Sequence, residues 1–351
     1  MRAMIVKEFR ELRRDRRTLG MLIGMPILLL LVFGYAANFS VSDIPTAIVG
    51  PAAQQVADQV QAANSPFDVT EVLPQDDKDS ATTLLVDNEV SVAIVTGVQP
   101  PEALIDGASL FSAQTAVSAI HASGLDVQID VLFNPDLTTA WVMVPAIIGL
   151  ILTFIGTVIT SIGLVRERES GTLEQLAVMP IRPSSVILGK IVPYFILAAL
   201  DMTAVTLLGM WLFGVPFNGN PLVFALGSAL FLFVVLGLGV FISTISSTVG
   251  QAIQTAFFFL LPQILLSGMI FPLDAIPWGV RWISYLLPLT YFVEISQGVM
   301  LRGTPIDHLW IPMVVLAGMA VLVFAGAVAR FRRDLGPSKH QIRKAAEAVA
   351  T

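Results

Sequence analysis

The chain has 351 residues, of which 55% are hydrophobic and only 13% charged, and its formal net charge is −6. The charged share is about half that of an ordinary soluble domain, so a fold surrounded by water alone is excluded and lipid must cover part of the surface. The absence of cysteine excludes disulfides, thiolate catalysis and cysteine-ligated metals. With three histidines and no H-E-x-x-H motif, we expect no histidine metal site.

The chain begins with a basic, amphipathic stretch over residues 1–18. Ile5, Val6, Phe9 and Leu12 recur at helical spacing, and basic residues occupy the other face. Such a helix lies in the membrane interface with its cations on anionic headgroups. This stretch therefore serves either as a signal that sets membrane topology or as a docking element.

Six stretches reach the roughly 20 apolar residues that a membrane-spanning helix needs. The first could instead be a secretory signal peptide, because seven basic residues precede it. That basic region is too long and too amphipathic for a signal peptide, so we expect an uncleaved anchor. The predicted spans are Leu19–Ala37, Trp141–Val165, Ile187–Gly214, Pro221–Ile245, Gln251–Pro272 and Leu309–Ala329.

The distribution of lysine and arginine predicts the orientation. Of these 20 residues, 17 lie in residues 1–18, in the loop between the second and third spans when Lys190 at the mouth of the third span is included, or in the tail at 330–351. With six spans these segments share one face of the membrane, whereas five or seven spans would separate them. Since basic residues accumulate in cytoplasmic segments, we expect both termini in the cytoplasm and the chain in the inner membrane.

Residues 38–140 carry 14 acidic residues and a single basic one, Lys78. Short β-like runs alternate with polar, alanine-rich segments, which predicts a small α/β domain outside the cytoplasm, between the first two spans. Its acidity would suit either recognition of a cationic solute or a soluble surface kept away from anionic lipid. The β-like runs are Thr46–Val49, Phe67–Leu73, Ser91–Thr96 and Asp126–Phe133, and the helical segments are 52–64 and 109–123.

The loop after the second span, residues 166–186, is highly charged. Thr172 and Gln175 have the spacing of a capping box, which predicts a short helix, and Pro180 and Pro183 end it. A capped, charged helix between two long spans could act as a lever or as a docking element.

The stretch 273–308, between the last two spans, combines aromatic residues with helix-breaking prolines. Aromatic rings favour the headgroup level, and irregular backbone cannot face lipid. We therefore predict interfacial or re-entrant helices packed against protein. The residues concerned are Trp278, Trp282, Tyr285, Tyr291, Pro277 and Pro288.

Two carboxyl groups lie in apolar surroundings. Asp201 falls inside the third predicted span, and Glu294 falls in the stretch 273–308. A carboxyl group in a membrane segment is costly and marks a functional site by default. Each is therefore a candidate for a solute path or a gate, with a hydrogen bond between helices as the alternative.

The sequence contains no complete catalytic set. Gly189-Lys190 resembles the end of a phosphate-binding loop, but Ser184 and Ile191 break that motif, and it lies at the mouth of a membrane helix. There is no G-x-S-x-G motif. We expect neither enzyme activity nor a nucleotide or metal site in this chain.

Several short motifs occur in a characteristic order around these elements. They are Lys7-Glu8-Phe9-Arg10, Asn134-Pro135, Val144-Pro145, the E-x-G-T-x-E-x-L run from Glu169 to Leu176, Pro288-Leu289-Thr290-Tyr291 and Arg302-Gly303. In this order the chain resembles, over essentially its whole length, the membrane subunit of type-2 ABC exporters. This permease family includes drug-efflux systems and exporters of lipids or polysaccharides. The size of the outer domain is more typical of the drug-efflux branch.

The resemblance implies a separate ATP-binding subunit that holds ATP and Mg²⁺, and a second permease chain, identical or similar. Residues 1–18 would be a connecting helix, the loop 166–186 a coupling helix docked on the ATPase, and residues 273–308 external re-entrant helices. The solute would be hydrophobic or amphipathic. The implied coupling residues are Arg166, Glu167, Arg168, Glu169, Gly171, Thr172, Glu174, Gln175 and Leu176, and those of the connecting helix are Lys7, Phe9, Arg10, Arg13 and Arg14.

Two other functions compete with export. A transporter driven by an ion gradient would need several intramembrane carboxyl groups and repeat symmetry, and Asp201 is one such group. A receptor or scaffold would use the acidic domain to bind a ligand but would not need the later spans. Under each of these functions the predicted fold is a polytopic α-helical membrane protein with six transmembrane helices, and a small α/β domain at 38–140 between the helices at 19–37 and 141–165.

Overall fold

A computed structural model describes residues 43–62, 65–123, 126–169, 183–273 and 276–335. The predicted span at 19–37, the stretch 1–18, most of the loop 166–186 and most of the tail at 330–351 lie outside these residues. The architecture below therefore begins at the first strand of the α/β domain.

In its described residues the α/β domain contains five strands and three helices. The strands are β1 (Ile44–Val49), β2 (Phe67–Leu73), β3 (Val92–Val95), β4 (Glu102–Asp106) and β5 (Gln128–Leu132), and the helices are α1 (Ala53–Ala62), α2 (Lys78–Val86) and α3 (Leu110–Ser123). The sheet has the order β2-β1-β3-β4-β5; β3 and β4 pair antiparallel and the other neighbours pair parallel.

Helices cover both faces of this sheet. On β1, Ile44 packs with residues of α3 and Ile48 with residues of α1, whereas Ala47 and Val49 pack with residues of α2. This alternation follows the period of two in a strand, and burial on both faces accounts for a nearly continuous apolar β1. The predicted α/β class is confirmed.

Strand β4 was not predicted. It is only five residues long, and it follows Pro100 and Pro101. Its ends, Glu102 and Asp106, are acidic yet buried. An acidic residue is a poor signal for a buried strand, because a charge is buried only when a partner from elsewhere in the fold neutralises it.

Beyond the domain, the described residues contain five helical segments that are long and apolar enough to cross a membrane. The first comprises α4 (Thr139–Phe154), a π-helical turn (Ile155–Ile159) and α5 (Thr160–Glu169). It is followed by α6 (Pro183–Phe213), α7 (Pro221–Ile245) and α8 (Val249–Leu266), then by the short helices α9 (Trp278–Ser284) and α10 (Pro288–Gln297), a second π-helical turn (Gly298–Arg302) and α11 (Trp310–Leu335).

Predicted spans two to six each overlie one of these five segments, with one clear difference in length. The span expected at Gln251–Pro272 ends at Leu266, because the chain turns at Ser267 and Gly268 adopts a positive φ of 85°. Such a backbone angle is unstrained for glycine and ends a helix well. The described residues after Gly268 therefore do not continue the span, and Leu273 and Ile276 pack with Leu265 and Leu266 at the end of α8.

Helix α7 is the centre of the helical part. It packs against α5, α6, α8, α10 and α11. In the most apolar 18-residue stretch of α7, 61% of the residues are buried. The corresponding share is 22% in α6 and 22% in α11. The outer helices thus keep broad apolar faces for lipid or another chain, as a membrane protein requires.

Gly239 allows α7 to approach the first π-helical turn closely. A Cβ atom at this position would lie 2.6 Å from the carbonyl oxygen of Gly156 and 3.0 Å from that of Thr157. Backbone atoms cannot rotate away as a flexible side chain does. The contact between these two helices therefore depends on the absence of a side chain at Gly239.

We predict that Gly239→Ala destabilises the protein by about 1–3 kcal/mol, the usual cost of overpacking. The matched control is Gly318→Ala in α11, where an added Cβ meets nothing within 4 Å; it should leave stability unchanged or raise it slightly, since alanine favours helix. Thermal unfolding of the purified protein, followed by size-exclusion chromatography of heated samples, measures both. Equal melting temperatures for the two variants would contradict the packing argument.

Candidate functional site

A buried ion pair joins the α/β domain to the membrane helices. Asp106 is the last residue of β4, and Arg302 is the last residue of the second π-helical turn. Arg302 donates to Asp106 Oδ2 from Nε at 3.1 Å and from Nη2 at 2.7 Å, and Nη2 also donates to Ser109 Oγ at 3.2 Å. The two side chains are 5% and 0% exposed.

The remaining hydrogen-bonding capacity of Asp106 is used within its own loop. Its Oδ1 accepts from the Ala108 N–H at 2.9 Å, and its Oδ2 accepts from the Ser109 hydroxyl at 2.9 Å. A buried charge is tolerated when it is both paired and hydrogen-bonded. This pair therefore fixes the end of β4 against the end of the π-helical turn after α10.

Two contacts near this pair hold the loop before α11 on the end of α2. The Thr304 hydroxyl donates to the Val86 carbonyl at 2.7 Å, and His308 Nδ1 lies 3.2 Å from Asp87 Oδ1. Burial raises the pKa of the Asp87 carboxyl, and the neighbouring His308 opposes that effect. The junction thus has one deeply buried ion pair and a second contact whose histidine is partly exposed.

Asn134, of the Asn134-Pro135 motif, sets the angle at which α4 leaves the domain. Its Nδ2 donates to the carbonyls of Gly107 and Thr138, each at 3.2 Å, and its Oδ1 accepts from the Thr138 N–H at 2.8 Å. Asn134 is fully buried. One side chain therefore connects the loop of the ion pair to the first turn of α4.

Two glutamine side chains position α10. The residue before α10, Leu287, offers no capping side chain, and Gln263 of α8 instead accepts from the Leu289 N–H at 3.1 Å. At the other end, Gln297 Nε2 donates to the Val142 carbonyl of α4 at 3.1 Å. The Leu289 N–H is one of the donors in the first turn of α10 that have no partner within the helix, and such a donor needs a partner when it is buried.

A cavity of about 310 Å³ lies between the α/β domain and α10. This volume falls at the lower end of the range for small-molecule sites, roughly 300–1,000 Å³. The cavity is bounded by Pro45, by residues 88–91 and 108–112 of the domain, by Val142 and Met143 of α4, by residues 267–270 and 272–273 after α8, by Thr290, Val293, Glu294 and Gln297 of α10, and by Arg302.

Glu294 is the predicted site residue that the structure places in this cavity. Burial raises the pKa of its carboxyl group, and the positive charge of Arg302 opposes that effect. Among the described residues its carboxylate has no hydrogen-bond or ion-pair partner. The alternative of a hydrogen bond between helices is therefore not observed there.

Asp201, the other predicted residue, does not line this cavity. It lies on α6 beside the packed positions Ala198 and Met202, and its Oδ2 atom is buried without a hydrogen-bond partner in the described part of the chain. The two carboxyl groups therefore do not form one site. A role for Asp201 in a path or gate stays a prediction.

The model of the family described as "ABC-2 family transporter protein" matches residues 16–329, which is most of the chain. The chain belongs to the ABC-2 transporter family. The predicted resemblance to a type-2 ABC permease is thereby confirmed. The match includes the α/β domain, the five membrane segments and the junction between them.

Several curated relatives of this ABC-2 chain are described as permeases. It is 28% identical to the "Probable multidrug ABC transporter permease YbhR" of Escherichia coli K12, over 95% of this chain and 98% of that protein. It is also 28% identical to the "Probable multidrug ABC transporter permease YbhS" of the same strain, over 92% of each chain. With the "Inner membrane transport permease YhhJ" of that strain it shares 35% identity over 58% of this chain and 55% of that protein. These similarities identify a multi-pass inner-membrane permease.

Only part of the coupling segment expected of an ABC-2 permease lies in the described residues. Arg166, Glu167, Arg168 and Glu169 form the last turn of α5 rather than a loop. Glu169 Oε1 accepts from the Val249 N–H at 3.2 Å and so caps the start of α8. The predicted residues outside the described part are Gly171, Thr172, Glu174, Gln175 and Leu176 in the loop, and Lys7, Phe9, Arg10, Arg13 and Arg14 near the start.

Sequence reasoning missed Asp106 altogether and gave Arg302 no partner. A usable signal existed, because Arg302 is one of three basic residues outside the segments predicted to be cytoplasmic, with Lys78 and Arg281. An arginine in an apolar stretch requires a counter-charge. The sequence could not choose its partner among the acidic residues of the domain.

We predict that Arg302→Met and Asp106→Asn each destabilise the protein by about 3–5 kcal/mol, because each leaves the other charge buried without a partner. The loss of unfolding free energy in the double variant should be clearly smaller than the sum of the losses in the two single variants. Asp136→Asn is the control, because Asp136 is exposed and a surface substitution usually changes stability by no more than about 0.5 kcal/mol. Thermal unfolding of the four proteins measures the coupling, and strictly additive losses would show that the two charges do not depend on each other.

Glu294→Gln should raise the melting temperature at pH 7.5. Because the pKa of Glu294 is raised in the folded state, the carboxyl group contributes stability while it is protonated, below its unfolded pKa. That contribution is lost as the pH rises through the folded pKa. The gain in the variant should therefore shrink as the pH is lowered toward 4.5. Asp136→Asn, which neutralises an exposed carboxylate, should show no such gain; a melting temperature that falls in Glu294→Gln at pH 7.5 would contradict the prediction.

Proposed function

We propose that this chain is the permease subunit of an ATP-driven exporter that moves a hydrophobic or amphipathic solute out of the cytoplasm or the inner leaflet. The observation that carries the proposal is the family match over residues 16–329. The sequence has no complete phosphate-binding loop, so ATP and Mg²⁺ would bind to a separate ATP-binding subunit. The similarity to YbhR and YbhS, both described as probable multidrug permeases, supports a drug-like solute.

We place both termini and the loop 166–186 in the cytoplasm and the α/β domain outside. The support is the concentration of lysine and arginine in three segments of the chain. In this orientation the buried ion pair and the cavity lie at the outer ends of the membrane helices. The solute would then pass this junction late in its path.

The segment from Thr139 to Glu167 is a continuous helical rod that could carry a movement across the membrane. It has 29 residues, which corresponds to roughly 43 Å at 1.5 Å per residue. Its inner end carries the predicted coupling residues, and at its outer end Val142 and Met143 line the cavity. When ATP brings the partner subunits together, the docked loop would shift, the helices would tilt as nearly rigid bodies, and the cavity would change shape.

A second permease chain would complete the transporter. The exposed face of α6 supports this, because large apolar side chains project from it; they include Leu200, Leu207 and Trp211, which are 63%, 59% and 78% exposed. Lipid or another copy must cover such a face. Paired permeases with a shared path are the arrangement that we propose.

The proposed partnership is tested by expressing the tagged full chain in its own organism, where partner chains are produced from the chromosome. The chain is then purified from membranes in mild detergent, and the co-purifying chains are identified. An ATP-binding chain should co-purify in stoichiometric amount, and the complex should hydrolyse ATP. A permease that purifies alone, with no ATPase activity, would reject the proposal and favour a transporter driven by an ion gradient.

Charge reversal at Glu169 and Glu174 should uncouple ATP hydrolysis from transport. We expect Glu169→Lys with Glu174→Lys to reduce solute export by roughly 10-fold or more, within the usual scale of an allosteric coupling, while the protein still reaches the membrane. The control is the double variant with glutamine at both positions. It keeps an acceptor for the Val249 N–H and so separates loss of the cap of α8 from loss of complementary charge. Normal export by the double lysine variant would contradict a docking role.

A further inference from the structure

We propose that the cavity between the α/β domain and α10 binds a lipophilic organic cation, whose charge is held by the carboxylate of Glu294. The inference rests on the proposed function, because it specifies the class of solute that such an exporter carries. It concerns a site within a single permease chain, at the junction of the domain and the membrane helices.

The walls of the cavity are suited to an apolar body. The residues that line it include Phe111, Val142, Met143, Met269, Ile270 and Val293. Phe111 is 42% exposed although it belongs to a folded domain. The ring thus offers an uncovered aromatic surface to whatever enters the cavity, and aromatic faces attract cations.

The charge within the cavity is negative. Its lining contains Glu294, Glu89 and one cation, Arg302. The charge of Arg302 is already matched by Asp106 at 2.7 Å. The carboxylates of Glu294 and Glu89 therefore remain without a balancing cation among the lining residues, and an organic anion would be repelled.

Glu294 differs from the other buried carboxylates of the domain junction. Glu102 is paired with Lys78, and Asp106 is paired with Arg302. Glu294 is half-buried, yet the described residues give its carboxylate no hydrogen bond and no ion pair. A partly desolvated carboxylate with open space beside it is the group that a cationic ligand would satisfy.

The remaining chemistry favours an organic cation over a metal ion. Calcium takes about six to eight oxygen ligands and magnesium about six, whereas Glu294 is the one carboxylate that α10 contributes to this cavity. Met143 and Met269 have flexible, polarisable side chains that adapt to different shapes. The site should therefore accept several bulky cations of moderate size rather than a single compound.

Equilibrium dialysis of the full-length permease in phosphatidylcholine nanodiscs tests this directly. The cationic probe is methyltriphenylphosphonium, and triphenylphosphine oxide is a neutral probe of similar size. The wild-type protein should bind the cation saturably and more tightly than the neutral compound. Glu294→Gln should weaken cation binding by roughly 10-fold, equivalent to about 1.4 kcal/mol, and leave binding of the neutral probe nearly unchanged.

Two further variants separate a specific role of Glu294 from a general effect of negative charge and from binding outside the cavity. Asp136→Asn removes one negative charge from an exposed loop and should bind both probes like the wild type. Phe111→Ala should weaken binding of both probes, because it removes a wall of the cavity. Since Glu294→Gln is expected to be at least as stable as the wild type, its loss of binding would not reflect unfolding.

Three results would overturn the inference. They are absence of saturable cation binding, equal affinity of the wild type for the two probes, and unchanged cation affinity in Glu294→Gln. Equal affinities would indicate an apolar pocket filled by lipid. Because dialysis uses the permease without an ATPase, each of these results would leave the co-purification test of the exporter unaffected. Failure of that test would equally leave a measured cation site in place.

Discussion

An arginine buried beside membrane helices must meet a fixed counter-charge, and in this protein that requirement ties two parts of the chain together. Arg302 lies 196 positions after Asp106 in the sequence. The full burial of the carboxylate makes the pair costly to form and still costlier to break. Thr304, His308 and Asn134 add contacts around it. The α/β domain is consequently held against the helices by side-chain contacts as well as by the segment that leads from β5 into α4.

The cavity forms because the domain is held against the helices in this way. The ion pair holds the end of α10, Gln263 caps its start, and Gln297 attaches it to α4. With both ends fixed, Glu294 is held near the middle of the helix without a bonding partner among the described residues. Such an unsatisfied group lowers stability, and proteins commonly accept that cost at functional sites. The contrast between the paired Asp106 and the unpaired Glu294 distinguishes a structural carboxylate from a candidate ligand-binding one.

The parts of the fold that depend on whether lipid or water surrounds the chain could be predicted from the sequence. Apolar runs near 20 residues can be stable only in lipid, so five of the predicted spans match helical segments of the described chain. The alternation of β-like runs with polar, alanine-rich segments in residues 38–140 likewise predicted an α/β domain. The end of α8 was misplaced, because Met269, Ile270 and Phe271 continue an apolar pattern although Gly268 turns the chain.

The sequence by itself determined the class of protein, the number of apolar spans in the described part, and Glu294 as a candidate site residue. These properties depend on composition and on motifs that are contiguous in the chain. Only the tertiary structure decided that Arg302 pairs with Asp106, that β4 is a strand, that Glu294 lines a cavity and that Asp201 lies apart from it. The physical reason is that burial and electrostatic pairing depend on distances between segments far apart in the sequence, and no local pattern contains those distances.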